Sequence, residues 1–293
     1  MKTAPLKQDY GIEISGVDVR SAAPATLAEI VRLLNAHGAI VVREQALAPA
    51  DLVAFTRLFG TPAYNPRHEH TVPGYPDIFV ISNKIVDGRP IGDLDAGSGW
   101  HFDMPYERLP GYCTLLYALE VPPEGSDTLL ADLCAAWDEL PAERQEDLAD
   151  LVVHHSYAQL ASLKGTTLTA EHRRRLPDVF HPLVRRHPHD GRLALRPCLG
   201  GSKGILGVAN PQGLDLLKEL VAFVTQERFV YAHKWRVGDL LVWDNNCTLH
   251  RGTPFDRDRY IRHVQRTWIQ SPEEHYRDRP VLMPAPERVP EPA

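Results

Sequence analysis

Gly238-Asp239-Leu240-Leu241-Val242-Trp243-Asp244-Asn245-Asn246-Cys247-Thr248-Leu249-His250-Arg251-Gly252 carries most of what the sequence says about the fold. Leu240–Trp243 is an apolar run too short for a helix, bounded by turn residues, and so predicts a buried strand. Val237-Gly238-Asp239 turns the chain into it from a preceding strand, Phe229–Trp235, and Arg262–Ile269 follows as another. Upstream, Cys113–Val121 predicts a strand that Pro122-Pro123 ends. Helices are expected over Ala142–Val153 and Gln212–Thr225, the second with Leu214, Leu217, Val221 and Val224 on its inner face. Near the N-terminus, residues 23–38 place Leu27, Ile30, Val31 and Leu34 on one helical face, with Gly38 as the stop. Ala39–Arg43 and Ile78–Ser82 then predict strands, Pro49–Gly60 a helix, and Asn83–Gly99 a mobile Gly-rich loop. The expectation is a mainly β fold with flanking helices, one domain over 1–270, and a poorly ordered Pro-rich tail over 271–293.

Composition narrows the partners. The 293 residues are 43% hydrophobic and 24% charged, with a net charge of −6, an ordinary globular balance. The basic residues form no stripe, so nucleic acid is not an expected partner. No stretch approaches the roughly 18 apolar residues of a membrane span, and the N-terminus has no secretory apolar region. Cys113, Cys134, Cys198 and Cys247 form no CxxC pair, which favours reduced thiols and a cytoplasmic protein. The fourteen histidines invite a search for metal ligands.

Trp100-His101-Phe102-Asp103 supplies one. In an extended segment side chains alternate, so His101 and Asp103 share a face. Two imidazoles and one carboxylate on one face of an octahedron suit non-haem Fe(II) with three open positions. A lone HxD is as readily a polar pair at a turn, and His250 alone as readily a surface-loop histidine. The third piece is Arg262-His263-Val264-Gln265-Arg266-Thr267-Trp268-Ile269, where Arg262, Val264, Arg266 and Trp268 share a strand face. Its two arginines stand about 13 Å apart at ~3.3 Å per residue. Inward guanidinium groups call for anions, and their planar fork suits carboxylates. An Arg-studded solvent face is the alternative, with which Val264 and Trp268 agree poorly.

Together these pieces resemble the taurine and 2,4-dichlorophenoxyacetate dioxygenase (TauD/TfdA) family. The likeness begins with Gly11–Asp18 and His37–Arg43. It continues through Phe59-Gly60, Trp100–Asp103, Gly125-Ser126-Asp127-Thr128-Leu129, His181–Val184 with His187-Pro188 and Gly191-Arg192, and Trp243-Asp244-Asn245 with His250. It closes on Arg262 to Arg266. The resemblance implies a double-stranded β-helix (jelly-roll, cupin-like) core and Fe(II), 2-oxoglutarate and O2 as cofactor and co-substrates. It implies His101, Asp103 and His250 as metal ligands, with Arg266 on the distal carboxylate of 2-oxoglutarate assisted by Thr128. Arg262 is implied near the other carboxylate or the substrate's anion. The presence of Asp103, absent from related halogenases, implies oxygenation.

Where taurine enzymes of the family place a sulfonate-binding histidine, counting from Phe59-Gly60 reaches Asn65, and a second substrate position reaches His68. Taurine is therefore not the expected substrate. His155-Ser156-Tyr157 through Lys164-Gly165 lies closer to the phenoxyalkanoate branch, and Leu160–Pro177 is a candidate lid, although Arg173, Arg174 and Arg175 suit a solvated helix end equally well. The expected substrate is a small anionic organic acid, hydroxylated at a C–H bond, with desaturation or epoxidation as variants. A homo-oligomer, dimer or tetramer, is expected. A zinc hydrolase and a non-catalytic jelly-roll binding protein are the rivals; the first leaves Arg266 and Thr128 without a purpose. Trp137 and Trp235 are expected in the core, and His154 and His233 as satisfied structural histidines.

Overall fold

Alternation of side chains along short apolar runs builds a sheet buried on both faces. In Ala39–Val42, Ile40 and Val42 join one hydrophobic cluster while Ala39 and Val41 join another. Leu240–Asp244 divides likewise, with Leu240 and Val242 against Leu241 and Trp243. Such strands read as continuous apolar runs because neither face meets water. The computed structural model describes residues 1–63, 68–93, 97–276 and 283. Its main sheet has eight strands in the order Lys2–Lys7, Tyr10–Ser15, Ala39–Val42, Leu240–Asp244, Gly111–Glu120, His263–Gln270, Tyr75–Ser82 and Thr71–Val72. All neighbours run antiparallel except Tyr10–Ser15 and Ala39–Val42, which are parallel.

One face of this sheet is covered by helices Pro24–His37 and Pro49–Thr56, whose Ile30, Leu34, Leu52 and Phe55 pack with Ile40, Leu115 and Val242. The other face meets a three-stranded sheet, Val230–His233, Thr128–Asp132 and Thr248–Gly252. Leu130 of that sheet packs with Phe79, Leu116, Trp243, Val264 and Trp268. The two sheets facing each other form the expected jelly-roll core. Each fully buried Leu, Ile or Phe contributes about 1.5–3 kcal/mol, which explains why the sheets close over one another.

A third cluster supports the outside of the small sheet. Leu217, Leu220 and Val224 of helix Gln212–Val224 pack there with Trp137 and Leu133 of a short helix, Leu133–Asp138. That helix is capped by Asp132, whose carboxylate accepts from Cys134 N at 3.0 Å and Ala135 N at 3.1 Å. Trp137 and Trp235 are both buried, as expected.

The structure departs from the sequence expectations at several boundaries. The helix expected over Ala142–Val153 ends at Ala149, and Val152–His155 becomes the central strand of a small sheet with Val179–Pro182 and Ser202–Ile205. Two adjacent valines, one buried and one not, follow the strand period rather than the helical one. Pro49–Gly60 is helical only to Thr56. The segment Asn83–Gly99 carries a hairpin, Ile85–Val86 with Arg89–Pro90, and residues 94–96 lie outside the described residues. Ordered packing continues past Gln270 into a short 3-10 helix, Glu273–Tyr276, in which His275 and Tyr276 are buried. The Arg185 guanidinium sits 3.6 Å over the Tyr276 ring and donates to the His275 carbonyl. Among the described residues no helix is long and apolar enough to cross a membrane, and the four cysteines are buried and unpaired.

Candidate active site

His101 and His250 are brought together by backbone pairing. An isolated antiparallel bridge joins them, His101 N donating to His250 O at 3.1 Å and His250 N to His101 O at 2.8 Å. Their rings stand 4.2 Å apart, centroid to centroid. Asp103, two residues on, turns its carboxylate between them: Oδ1 lies 3.8 Å from His101 Nε2 and Oδ2 3.8 Å from His250 Nε2. These separations are too long for hydrogen bonds, and one donor atom from each residue falls within 4.8 Å of the others. Two imidazole nitrogens and a carboxylate oxygen converge on one point.

The protonation states suit a divalent cation. His101 Nδ1 lies 2.7 Å from the Gly99 carbonyl, which can only accept, so Nδ1 carries the proton and Nε2 keeps its lone pair. Burial lowers the pKa of both His101 and His250, which leaves them neutral. For Asp103, burial opposes the charge, but His250, Arg266, His101 and the Thr114 hydroxyl outweigh it and hold the carboxyl at about 2. Thr114 Oγ1 donates to Asp103 Oδ2 at 2.5 Å and accepts from Asn245 Nδ2 at 2.9 Å. Asn245 Oδ1 in turn accepts from Asp103 N at 3.1 Å and Trp243 Nε1 at 3.2 Å. The carboxylate is therefore oriented by a buried network. Thr114 carries no role in the sequence reading; its one signal is a hydroxyl in the middle of the buried apolar strand Gly111–Glu120.

His101 and His250 line a cavity of about 210 Å³ together with Thr128, Arg262 and Arg266. Arg266 NH1 lies 3.8 Å from Asp103 Oδ1, and its guanidinium stacks 4.8 Å over Phe79 and 4.5 Å over Trp268. Arg262 differs. It has no ion-pair partner among the described residues, and burial alone pulls its pKa down to about 10, although its Nε, like that of Arg266, is buried without a hydrogen bond. Thr128 is buried, its Oγ1 accepting from Trp235 Nε1 at 3.1 Å, which leaves its own hydroxyl hydrogen to donate. Val264, Arg266 and Trp268 share the inward face of strand His263–Gln270, and Arg262, just before the strand and its register shift at His263, also lines the cavity. Asn65 lies outside the described residues, as does the side chain of His68.

Other polar groups are structural. His187, 0% exposed, bridges Asp244 (Nε2 to Oδ2, 3.0 Å) and Asp190 (Nδ1 to Oδ1, 2.9 Å). His154 pairs with Asp178 at 2.7 Å, as expected; His233 is buried with Nδ1 3.2 Å from the Tyr231 hydroxyl, but its Nε2, 3.2 Å from Asp239, makes no hydrogen bond. The candidate lid folds as two short helices, Tyr157–Leu163 and Ala170–Arg175, capped by Ser156 and Thr169. Arg173, Arg174 and Arg175 are solvent-exposed at the end of the second.

Residues 2–268 match the profile of the "Taurine catabolism dioxygenase TauD, TfdA family". The chain belongs to the TauD/TfdA family. Among TauD/TfdA relatives, the alpha-ketoglutarate-dependent 2,4-dichlorophenoxyacetate dioxygenase of Cupriavidus pinatubonensis is 34% identical over 266 residues, covering 86% of this chain and 92% of that protein. Pentalenolactone F synthase of Streptomyces arenae is 30% identical, over 78% of this chain and 82% of that protein. The structure of AAD-2 in complex with Mn(II) and N-oxalylglycine superposes with a TM-score of 0.81 at 28% identity, covering 94% of this chain and 100% of that one. This TauD/TfdA protein is accordingly an oxidoreductase, a dioxygenase that uses Fe(II), 2-oxoglutarate and O2 on a small organic substrate. The zinc-hydrolase and binding-protein alternatives fall away.

Proposed function

We propose that His101, Asp103 and His250 hold the Fe(II), and that the substrate is a small organic anion hydroxylated at a C–H bond. The observation that carries this reading is the convergence of three donor atoms, two of them on histidines that line a cavity also presenting Arg262 and Arg266. When bound, iron and 2-oxoglutarate supply the oxidising chemistry, converting 2-oxoglutarate and O2 to succinate and CO2 while one oxygen atom goes to the substrate. The chain's own part is positional. Neutral His101 and His250 with ionised Asp103 present one negative charge to the dication, and the Thr114–Asn245 network keeps the carboxylate from turning away.

Arg262 with Thr128 takes the distal carboxylate of 2-oxoglutarate. The resemblance assigns that role to Arg266, but Arg266 already neighbours Asp103, whereas Arg262 is a buried cation with no anion of its own among the described residues. Arg266, beside the metal ligands, then faces the anionic group of the substrate. The carboxylate in the name of the Cupriavidus relative's substrate supports an organic acid here too. Residues 1–270 form one catalytic domain. Four unpaired thiols support a reducing cytoplasm, and the exposed edge strand Lys2–Lys7 offers a surface for the expected dimer or tetramer.

Anaerobic titration with Fe(II) and 2-oxoglutarate tests the site through the weak visible charge-transfer band of the chelate. The band is expected in the native chain and absent in His101→Ala. A folded, metal-loaded protein with no band would overturn the assignment. Product mass separates hydroxylation from desaturation or epoxidation.

A further inference from the structure

A second, smaller cavity of about 90 Å³ is bounded by Trp268, the indole on which Arg266 of the metal cavity stacks. Met104 and Tyr106 form one side of it, directly after Asp103 in the chain, and His172 and Leu176 close it from the second lid helix and the residue that follows. Tyr106 stacks 4.7 Å from Tyr157 of the first lid helix, and Tyr157 stands 6.2 Å from His172, so both helices of the lid hold this cavity's roof. Arg266, which lines the metal cavity, lies with its guanidinium 4.5 Å over the Trp268 indole, which lines this one.

Two polar atoms of residues lining this cavity have no hydrogen-bond partner among the described residues. Trp268 is 6% exposed and its Nε1 makes no hydrogen bond, and His172 Nδ1 is likewise buried and unbonded. A buried indole N–H left without an acceptor is destabilising, and a phenyl ring at the same place would carry no such penalty. Tryptophan here is therefore explained by something that accepts from it. Glu107 and Glu171 line the cavity with Arg175, so its lining carries no excess of positive charge to draw in a second anion, and a neutral group suits it better.

We infer that this side cavity is a specificity subsite that takes a neutral hydrogen-bond acceptor of the organic substrate, such as a ring nitrogen or a carbonyl oxygen, onto the Trp268 N–H. The inference rests on the proposed reading of Arg266 as the seat of the substrate's anion. The guanidinium that would anchor the substrate is in stacking contact with the Trp268 indole, and Met104 of this cavity directly follows the metal ligand Asp103 in the chain. Sites that bury a donor for a substrate acceptor discriminate strongly against analogues lacking it.

The test compares 3-pyridyloxyacetate with phenoxyacetate, which differ by one ring nitrogen, in the wild type and in Trp268→Phe, with succinate as the readout. The wild type is expected to prefer the pyridyl compound in kcat/KM, and that ratio is expected to fall about tenfold in Trp268→Phe, mainly through KM. Equal use of the two probes, use of neither, or a preference that survives the substitution overturns the subsite. The Fe(II)–2-oxoglutarate band, recorded on each protein, reports loading separately: its presence with no probe preference sinks only the subsite, and its absence in the wild type sinks the reading beneath it.

Discussion

His101 and His250 exchange backbone hydrogen bonds at 3.1 and 2.8 Å, so the two imidazoles are set by main-chain pairing before any side chain is oriented. Asp103 has no such bridge and depends on Thr114 and Asn245 for its orientation. The consequences of that asymmetry can be measured.

Thr114→Val keeps the shape of the strand and removes the donor to Asp103 Oδ2. Fe(II) affinity is expected to fall about 10- to 100-fold, the usual effect of losing an outer hydrogen bond to a metal ligand. Fe(II) titration read beside thermal unfolding separates this from a general loss of stability.

Arg262→Ala and Arg266→Ala are expected to differ in kind. Removing Arg262 should raise the 2-oxoglutarate requirement of the visible band steeply, because truncating one partner of a desolvated charge pair costs about 2–5 kcal/mol. Arg266→Ala should leave that requirement closer to the wild-type value and abolish the stimulation of succinate release by organic acids. The reverse pattern returns the distal carboxylate to Arg266.

His187→Ala should destabilise the fold by about 3–5 kcal/mol, since it strands buried Asp244 without its partner. Burial opposes the His187 charge, but Asp244 outweighs it and raises the pKa to about 11. The folded value exceeds that of the unfolded chain, so the native state holds the proton more tightly. The contribution is complete below about pH 6.5 and is lost as pH rises toward about 11. Urea unfolding across that range should show native stability declining with pH, with a flatter slope in the variant.

Gly38→Ala tests the joint between the first helix and the main sheet. Gly38 has φ 74°, and a Cβ there would stand 3.0 Å from Tyr10 Cε2 and 3.1 Å from Cys247 Sγ. The left-handed conformation alone costs a non-glycine residue about 1–2 kcal/mol, and the two close contacts add to it. A fall in the denaturant midpoint with unchanged slope is the expected result.

Much of this architecture was legible along the chain. Leu240–Trp243, Ala39–Arg43 and Cys113–Val121 were recognisable as buried strands, and Gly38 as a helix stop, because apolar spacing and φ > 0 are local properties. Val152–His155 was not, since a short pair of valines after a helix suits either period until the neighbouring strands Val179–Pro182 and Ser202–Ile205 supply partners. Ser271–Tyr276 looked like tail because its composition is polar. What orders it is Arg185, a residue far away in sequence.

For the site, the sequence by itself determined the inventory: an imidazole and a carboxylate two residues apart, a later lone histidine, and two arginines on one strand face. Side-chain alternation is enough for that, as it is a property of a few consecutive residues. Only the tertiary structure decided that His101 pairs with His250, that Thr114 and Asn245 hold Asp103, and that Arg266 rather than Arg262 lies against the metal ligands. Those facts depend on how distant strands register and on which side chains share a buried space. Both are set by the closing of two sheets over a common core, and no local pattern encodes either.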